Sequence, residues 1–197
     1  MRFTIDRMSL LRPLGHVSSV VERRNTIPIL NNMVLRTSGG TLSLTGTDMD
    51  MDIVTDVTCA VLSEGASTVS AHMLNDIVRK LPEGSEVDIE MSDGHAQIRA
   101  GRSSFRLPTL PVEDFPAISS SELPHQFSVT APDLRAMVDT TRFAISTEET
   151  RHYLNGIYFH NSTNNMFGAV STIGNRLPLS RMTRPHGESV LPPIILP

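Results

Sequence analysis

The chain has 197 residues, 39% of them hydrophobic and 19% charged, which is ordinary for a globular chain of one to two domains at roughly 100–200 residues each. One cysteine, Cys59, excludes an internal disulfide and fits a reducing compartment, so a cytoplasmic location is expected. A net charge of −4 argues against holding nucleic acid by bulk charge, but it leaves room for a basic stripe on one face.

The first ten residues, MRFTIDRMSL, carry charges inside their apolar stretch and are no secretory leader, and no apolar run approaches the ~20 residues of a membrane helix. Residues 3–6 alternate as a strand does. Residues 8–22 predict an amphipathic helix with Ser9 as N-cap, Pro13 in the first turn and a stripe of Leu10, Leu11, Leu14, Val17, Val20 and Val21. Residues 27–36, 41–47 and 51–59 read as strands, the first two joined by the Ser-Gly-Gly turn at 38–40. A loop at 63–66 leads to a short strand at 67–70 and a helix at 71–81, which Pro82-Glu83-Gly84 ends. Strands follow at 86–91, 96–100 and 104–108, and the Pro- and Ser-rich stretch 110–123 reads as a linker.

The order strand, helix and three strands thus occurs twice within the first 110 or so residues. It then begins a third time. Residues 127–159 lie over residues 3–35 without a gap, which places Phe3 on Phe127, Leu10 on Leu134, Leu30 on Leu154 and Asn31 on Asn155. The third start supplies a strand at 126–130, a helix at 132–144, a loop at 146–151 and strands at 153–161, 166–172 and 177–183, after which RPHGESVLPPIILP closes the sequence. By analogy with the first unit, one helix and three strands are missing from the second.

These elements carry recognisable sequence. NTIPILNNMVL, GTLSLTGTDMDM, KLPEGSEV, AGRSSFRLPTLPVEDFP and RHYLNGIYF, in order and in register, resemble the bacterial β sliding clamp, the processivity subunit of DNA polymerase III. The resemblance covers nearly the whole chain. It implies an α+β DNA-clamp fold, antiparallel sheets with pairs of helices on the inner face, in a first domain at 1–120 and about half of a second at 121–197. In that family three such domains make a subunit and two subunits ring duplex DNA. The implied function is to tether DNA polymerase III to duplex DNA without reading its sequence. The alternative is a truncated remnant that forms no ring, or a decoy for clamp-binding peptides.

A tether of this kind needs helices that offer cations to phosphates, which positions a protein without specifying sequence. The candidates are Arg7, Arg12, Arg23 and Arg24 in and after the first helix, Arg79 and Lys80 in the second, and Arg135, Arg142 and Arg151 beyond; Arg24 matches a family position of that role, and His72 stands where the family tends to carry a basic residue. Acidic charge is expected on outer strands and loops, at Asp48, Asp50, Asp52, Asp88 and Glu90. The resemblance also implies a pocket for short linear peptides of the polymerase catalytic subunit and the clamp loader, at Leu154, Thr172, Gly174, Asn175, Arg176 and Leu177. The family usually reads Thr-Asp-Gly-His-Arg-Leu there, so Ile173 and Asn175 depart from it, and Pro178 removes a backbone donor. Phe105 and Leu107 fall on the strand that pairs with the other subunit in the family's ring.

Other chemistry is weakly represented. TDMDMD mimics the start of a calcium loop but fails at Ile53 and Cys59, where glycine and glutamate are required, and period-two acids on a half-solvated strand explain it. Seven histidines show no paired metal spacing, and no serine has a nucleophile-elbow setting. Neither an enzyme nor a cofactor is expected; an independent hydrolase would rest on scattered Ser and His alone.

Overall fold

A computed structural model describes residues 1–23, 25–49, 51–116, 127–187 and 192–196. The chain divides into two compact units, Met1–Ser119 and Ser120–Pro197.

The first unit runs β1 (Arg2–Asp6), α1 (Arg7–Val20), a 3-10 turn (Pro28–Asn31), β2 (Asn32–Ser38), β3 (Thr41–Thr47), β4 (Asp52–Thr58), β5 (Ala60–Ser63), β6 (Gly65–Ser70), α2 (Ala71–Lys80), β7 (Glu86–Ser92), β8 (His95–Ala100) and β9 (Ser103–Pro108). The strands form two antiparallel sheets, ordered β5-β1-β7-β8-β9 and β4-β3-β2-β6. Alternate residues of each strand point inward, as the two-residue period of a strand requires: Phe3 and Ile5, Met33 and Leu35, Leu42 and Leu44, Val87 and Ile89. They meet Leu10, Leu14, Val17 and Val21 of the first helix segment and Leu74 and Val78 of α2 in one core. Gly39 and Gly40, both at positive φ, make the two-residue hairpin between β2 and β3, and a Cβ at Gly46 would stand 2.7 Å from Val17 Cγ1, so glycine there lets α1 settle onto β3.

Several sequence expectations are corrected. Asp6, not Ser9, caps α1; its carboxylate accepts the Ser9 backbone N–H at 2.9 Å. The helix therefore starts earlier, and Pro13 lies inside it rather than in its first turn. Residues 28–31 are a 3-10 turn instead of strand, because Pro28 has no N–H for a ladder. The short strand β5, paired with β1, was not expected: the sequence assigns residues 60–62 no element and places the loop at 63–66. The expected linker begins later than residue 110: the Thr68 hydroxyl both donates to the Leu110 carbonyl (2.8 Å) and accepts its N–H (3.1 Å), and Phe115 is buried with Ile29, Leu30 and Val34. The remainder of that stretch, 117–123, lies outside the described residues.

The second unit runs β10 (Phe127–Ser128), α3 (Ala131–Thr141) prolonged by a 3-10 turn (Arg142–Ala144), a second 3-10 turn (Glu149–Leu154), β11 (Ile157–Ser162), β12 (Met166–Val170), β13 (Leu179–Thr183), β14 (His186–Gly187) and β15 (Ile194–Leu196). Residues 153–156, expected as strand, are turn, and the closing stretch contributes two strands that were not expected. Those strands complete a correspondence. Sheet β13-β12-β11-β15 repeats the order β4-β3-β2-β6, and the pair β10-β14 repeats β1-β5. Counterparts of α2, β7, β8 and β9 are not among the described residues. The unit's own core is small: Met137, Ile157, Phe159, Phe167 and Ala169, with the Phe159 and Phe167 rings stacked at 5.6 Å.

Candidate nucleic-acid interface

The first unit sets α1 and α2 side by side and antiparallel, fastened at both ends by polar contacts. At one end Arg7 is buried; its Nε donates to the Val78 carbonyl at 3.0 Å and its Nη2 to the Arg79 carbonyl at 2.7 Å. Both carbonyls lie in the last turn of α2, where the Val78 carbonyl also takes the Leu81 N–H at 3.3 Å, and a guanidinium there meets the negative end of the helix dipole. At the other end Ser18 Oγ donates to the Ala71 carbonyl, and His72 Nε2 lies 2.7 Å from the Val21 carbonyl, to which it donates. Arg7, expected among the cations offered to DNA, is instead 7% exposed and holds the helix pair together.

The solvent side of this pair carries Met8, Arg12, His16 and Ser19 from α1, then Met73, Arg79 and Lys80 from α2, with Arg23 just beyond α1. A groove of about 400 Å³ runs beside α1, lined by Met8, Arg12, His16 and, from β4, Asp56. Arg79 lies 3.1 Å from Asp76, but its side chain is 64% exposed, so the pair is screened and leaves the guanidinium available. Among the described residues Arg12, Arg23 and Lys80 form no ion pair. Arg24 lies outside the described residues. His72, half-buried, braces the helix pair by its contact with the Val21 carbonyl.

Opposite charge is placed elsewhere. Asp88 and Glu90 stand on the outer face of the β5-β1-β7-β8-β9 sheet, where Arg2 meets Asp88 at 2.8 Å and Arg99 meets Glu90 at 3.2 Å. The Asp88 carboxylate, by its hydrogen bond, raises the Arg2 pKa. Asp52 is exposed on β4, and Asp48 Oδ1 accepts the Met51 N–H in the turn before it; Asp50 lies outside the described residues. Among the described residues no group of three acidic, His or Cys side chains could hold a metal ion.

Sequence reasoning marked the charged loop after α1 but missed what holds it. Asn31 spans it with one side chain: Oδ1 accepts the Asn25 N–H at 3.1 Å, and Nδ2 donates to the carbonyls of Pro28 (3.3 Å) and Asn25 (3.4 Å). Asn25 adds an inner turn, its Oδ1 accepting the Ile27 N–H at 2.9 Å. The only sequence signal was that Asn31 falls on Asn155 in the repeat.

In the second unit Arg135 and Arg142 both approach Asp139, at 3.5 and 3.4 Å, and Arg151 approaches Glu148 at 3.1 Å, all exposed. Residues Thr172–Leu177 form a self-bonded loop: Thr172 Oγ1 donates to the Arg176 carbonyl (2.7 Å) and accepts the Gly174 N–H (3.0 Å), while Gly174 takes φ +100°. Asn175 and Arg176 are exposed and Leu177 is 70% exposed, so the loop offers side chains outward; Leu154 is half-buried at the end of its 3-10 turn. On β9, an edge strand, Phe105 is 37% exposed but Leu107 is 4% exposed and belongs to the core, which removes its side chain from any interface.

Comparison with known proteins places this geometry. The family description "DNA polymerase III beta subunit, N-terminal domain" matches residues 1–119, and "DNA polymerase III beta subunit, central domain" matches residues 128–197. The beta sliding clamp of Caulobacter vibrioides is 48% identical over 204 aligned positions, covering 100% of this chain and 54% of the relative. That of Escherichia coli K12 is 38% identical over 191, covering 96% and 51%. A solved structure described as Caulobacter crescentus pol III beta superposes with a TM-score of 0.93 at 48% identity, over 100% of this chain and 54% of the other. The chain spans about half the length of the curated relatives it matches.

Proposed function

The chain belongs to the DNA polymerase III beta subunit family, and we propose that it acts as part of a sliding clamp, tethering DNA polymerase III to duplex DNA with the α1–α2 face turned to the sugar–phosphate backbone. One observation carries this reading: the two helices are locked into a rigid pair whose open side presents Arg12, Arg23, Arg79 and Lys80. Spaced cations on long side chains suit phosphates, whose contacts position a protein without specifying sequence. Arg24 and, each within the second unit, Arg142 and Arg151 are proposed as further contacts to the sugar–phosphate backbone. The relatives' name supports a ring in the assembled clamp, with the exposed edge of β9 and Phe105 as the joint. The Thr172–Leu177 loop is proposed to receive short linear peptides of the polymerase and the clamp loader. The work is non-catalytic and needs no cofactor, and the compartment is the cytoplasm.

Fluorescence anisotropy with two duplexes of unrelated sequence tests the reading. It expects equal affinities that fall with added salt. Affinities that differ strongly between the duplexes, or that ignore salt, would contradict it.

A further inference from the structure

The loop between α1 and β2 is fastened at both ends. Where it leaves α1, His72 holds the Val21 carbonyl; where it returns, Asn31 holds Asn25 and Pro28. Between these anchors the backbone carries Arg23, exposed, with Arg24 next to it in sequence. We propose that Asn31 is a positioning residue for duplex binding: it latches this loop in the shape that presents Arg23, so that the cationic stretch reaches phosphates without first ordering the backbone. The proposal rests on the reading of the α1–α2 face given above and extends it to a residue that touches no DNA.

Asn31 employs its oxygen and both protons of its amide, facing one N–H and two carbonyls. Turning the amide over would oppose a donor to the Asn25 N–H and an acceptor to the carbonyls, so the partners fix its orientation. Aspartate could keep only the first contact and alanine none. Asn25 continues the latch by accepting from Ile27 N–H and donating Nδ2–H to Glu22 Oε2 at 3.3 Å. Glu22 is next to Arg23 in the chain, so the network runs up to the cationic stretch.

The repeat supplies a contrast. Asn155 occupies the same position in the second unit, yet its Oδ1 is buried with no hydrogen-bond partner among the described residues. That loop is closed by backbone instead, Ser146 N–H to the Leu154 carbonyl at 2.9 Å. An asparagine at this position therefore does not latch a loop unaided; the first unit has matched it with Asn25. Binding by a preformed loop avoids the cost of ordering it at the moment of contact, whereas a loop without its latch meets that cost with the same charges.

The test uses the full chain and a short duplex at several salt concentrations, with Asn31→Ala, the pair Arg23→Ala and Arg24→Ala, and all three together. Amide exchange at Asn25 reports the latch directly. Asn31→Ala is expected to weaken binding about five-fold, as loss of ordinary hydrogen bonds implies, while leaving the salt slope unchanged and speeding exchange at Asn25. In the background lacking both arginines, Asn31→Ala is expected to add nothing, because its effect passes through them. Asn25→Ala, a change outside the core, is expected to act in the same direction and guards against a misfolded Asn31 variant. Wild-type affinity for Asn31→Ala, or equal weakening with and without the arginines, would overturn the proposal and leave the DNA-facing role of the helix pair standing. Equal binding by wild type and the arginine pair variant would overturn the loop's part in that reading, and the latch's role with it.

Discussion

Asp6 and Arg7 are neighbours with unlike tasks, and sequence pattern alone separates them poorly. Asp6 ends β1 and caps α1; the Ser9 backbone N–H draws its pKa below the usual carboxylate value. Its carboxylate form is thus the one that folding favours. That contribution is present above the ordinary carboxylate pKa of about 3.9 and is lost as pH falls through the depressed native value. Asp6→Ala is therefore expected to lower Tm at neutral pH, with the gap from wild type closing in acid; a gap that is constant with pH would refute the cap. Arg7 was expected to face DNA and instead donates to Val78 and Arg79 carbonyls from a buried position. Replacing it by alanine removes both of these charge-assisted hydrogen bonds, although the Val78 carbonyl keeps the Leu81 N–H at 3.3 Å, and is expected to cost about 2–3 kcal/mol in a denaturant melt. Lys80→Ala, on the exposed face, is expected to change stability little but to reduce the salt slope of duplex binding by about 0.9, the contribution of one phosphate contact. Cys59 is half-buried, and burial pushes its thiol pKa up, so alkylation near neutral pH is expected to run slower than for a free thiol and to speed up as pH rises.

At the scale of elements, the repeat explains what each helix can bury. Leu10 in α1 is 1% exposed, under the combined cover of both sheets and α2. Leu134 takes the same place in α3 but is 37% exposed, as the described residues include no counterpart of α2. Leu10→Ala is expected to cost about 2–5 kcal/mol and Leu134→Ala under about 1, read from denaturant melts of the two variants; equal losses would contradict the different packing. The repeat was legible because the spacing of apolar residues survives even where identities do not: Phe3 on Phe127 and Val21 on Ile145 keep the pattern. Helix and strand interiors were legible for the same reason. Boundaries failed where a single group decides the matter. The N-cap went to Ser9 because Ser is a common cap, although Asp6 has the carboxylate in reach; Pro28 turned an apolar stretch from strand to 3-10 turn; Phe115 tied a Pro-rich stretch into a core. The site was legible as a set of cations in and after the helices, but not as an arrangement. Which arginine is buried and which loop is latched depend on contacts between residues far apart in sequence, such as Arg7 with Val78 or His72 with Val21.

For the whole molecule, a net charge of −4 coexists with a helix face that keeps unpaired cations, because among the described residues the exposed charges are paired unequally from one surface to another. Asp88 and Glu90 on the outer sheet are matched by Arg2 and Arg99, whereas Arg12, Arg23 and Lys80 on the helix side form no ion pair among the described residues. Cations left unpaired on one face can attract phosphate even in an acidic chain, since attraction depends on the local field and not on the total. The same unpaired cations predict where DNA docks. Titrating a short duplex into isotope-labelled full-length chain, and following backbone amide shifts by NMR, tests that directly. The account predicts that the largest shifts fall on Arg12, His16, Arg23, Arg79 and Lys80 and their neighbours in α1 and α2. Shifts centred on the outer sheet around Arg2 and Arg99, with the helix pair unmoved, would contradict it.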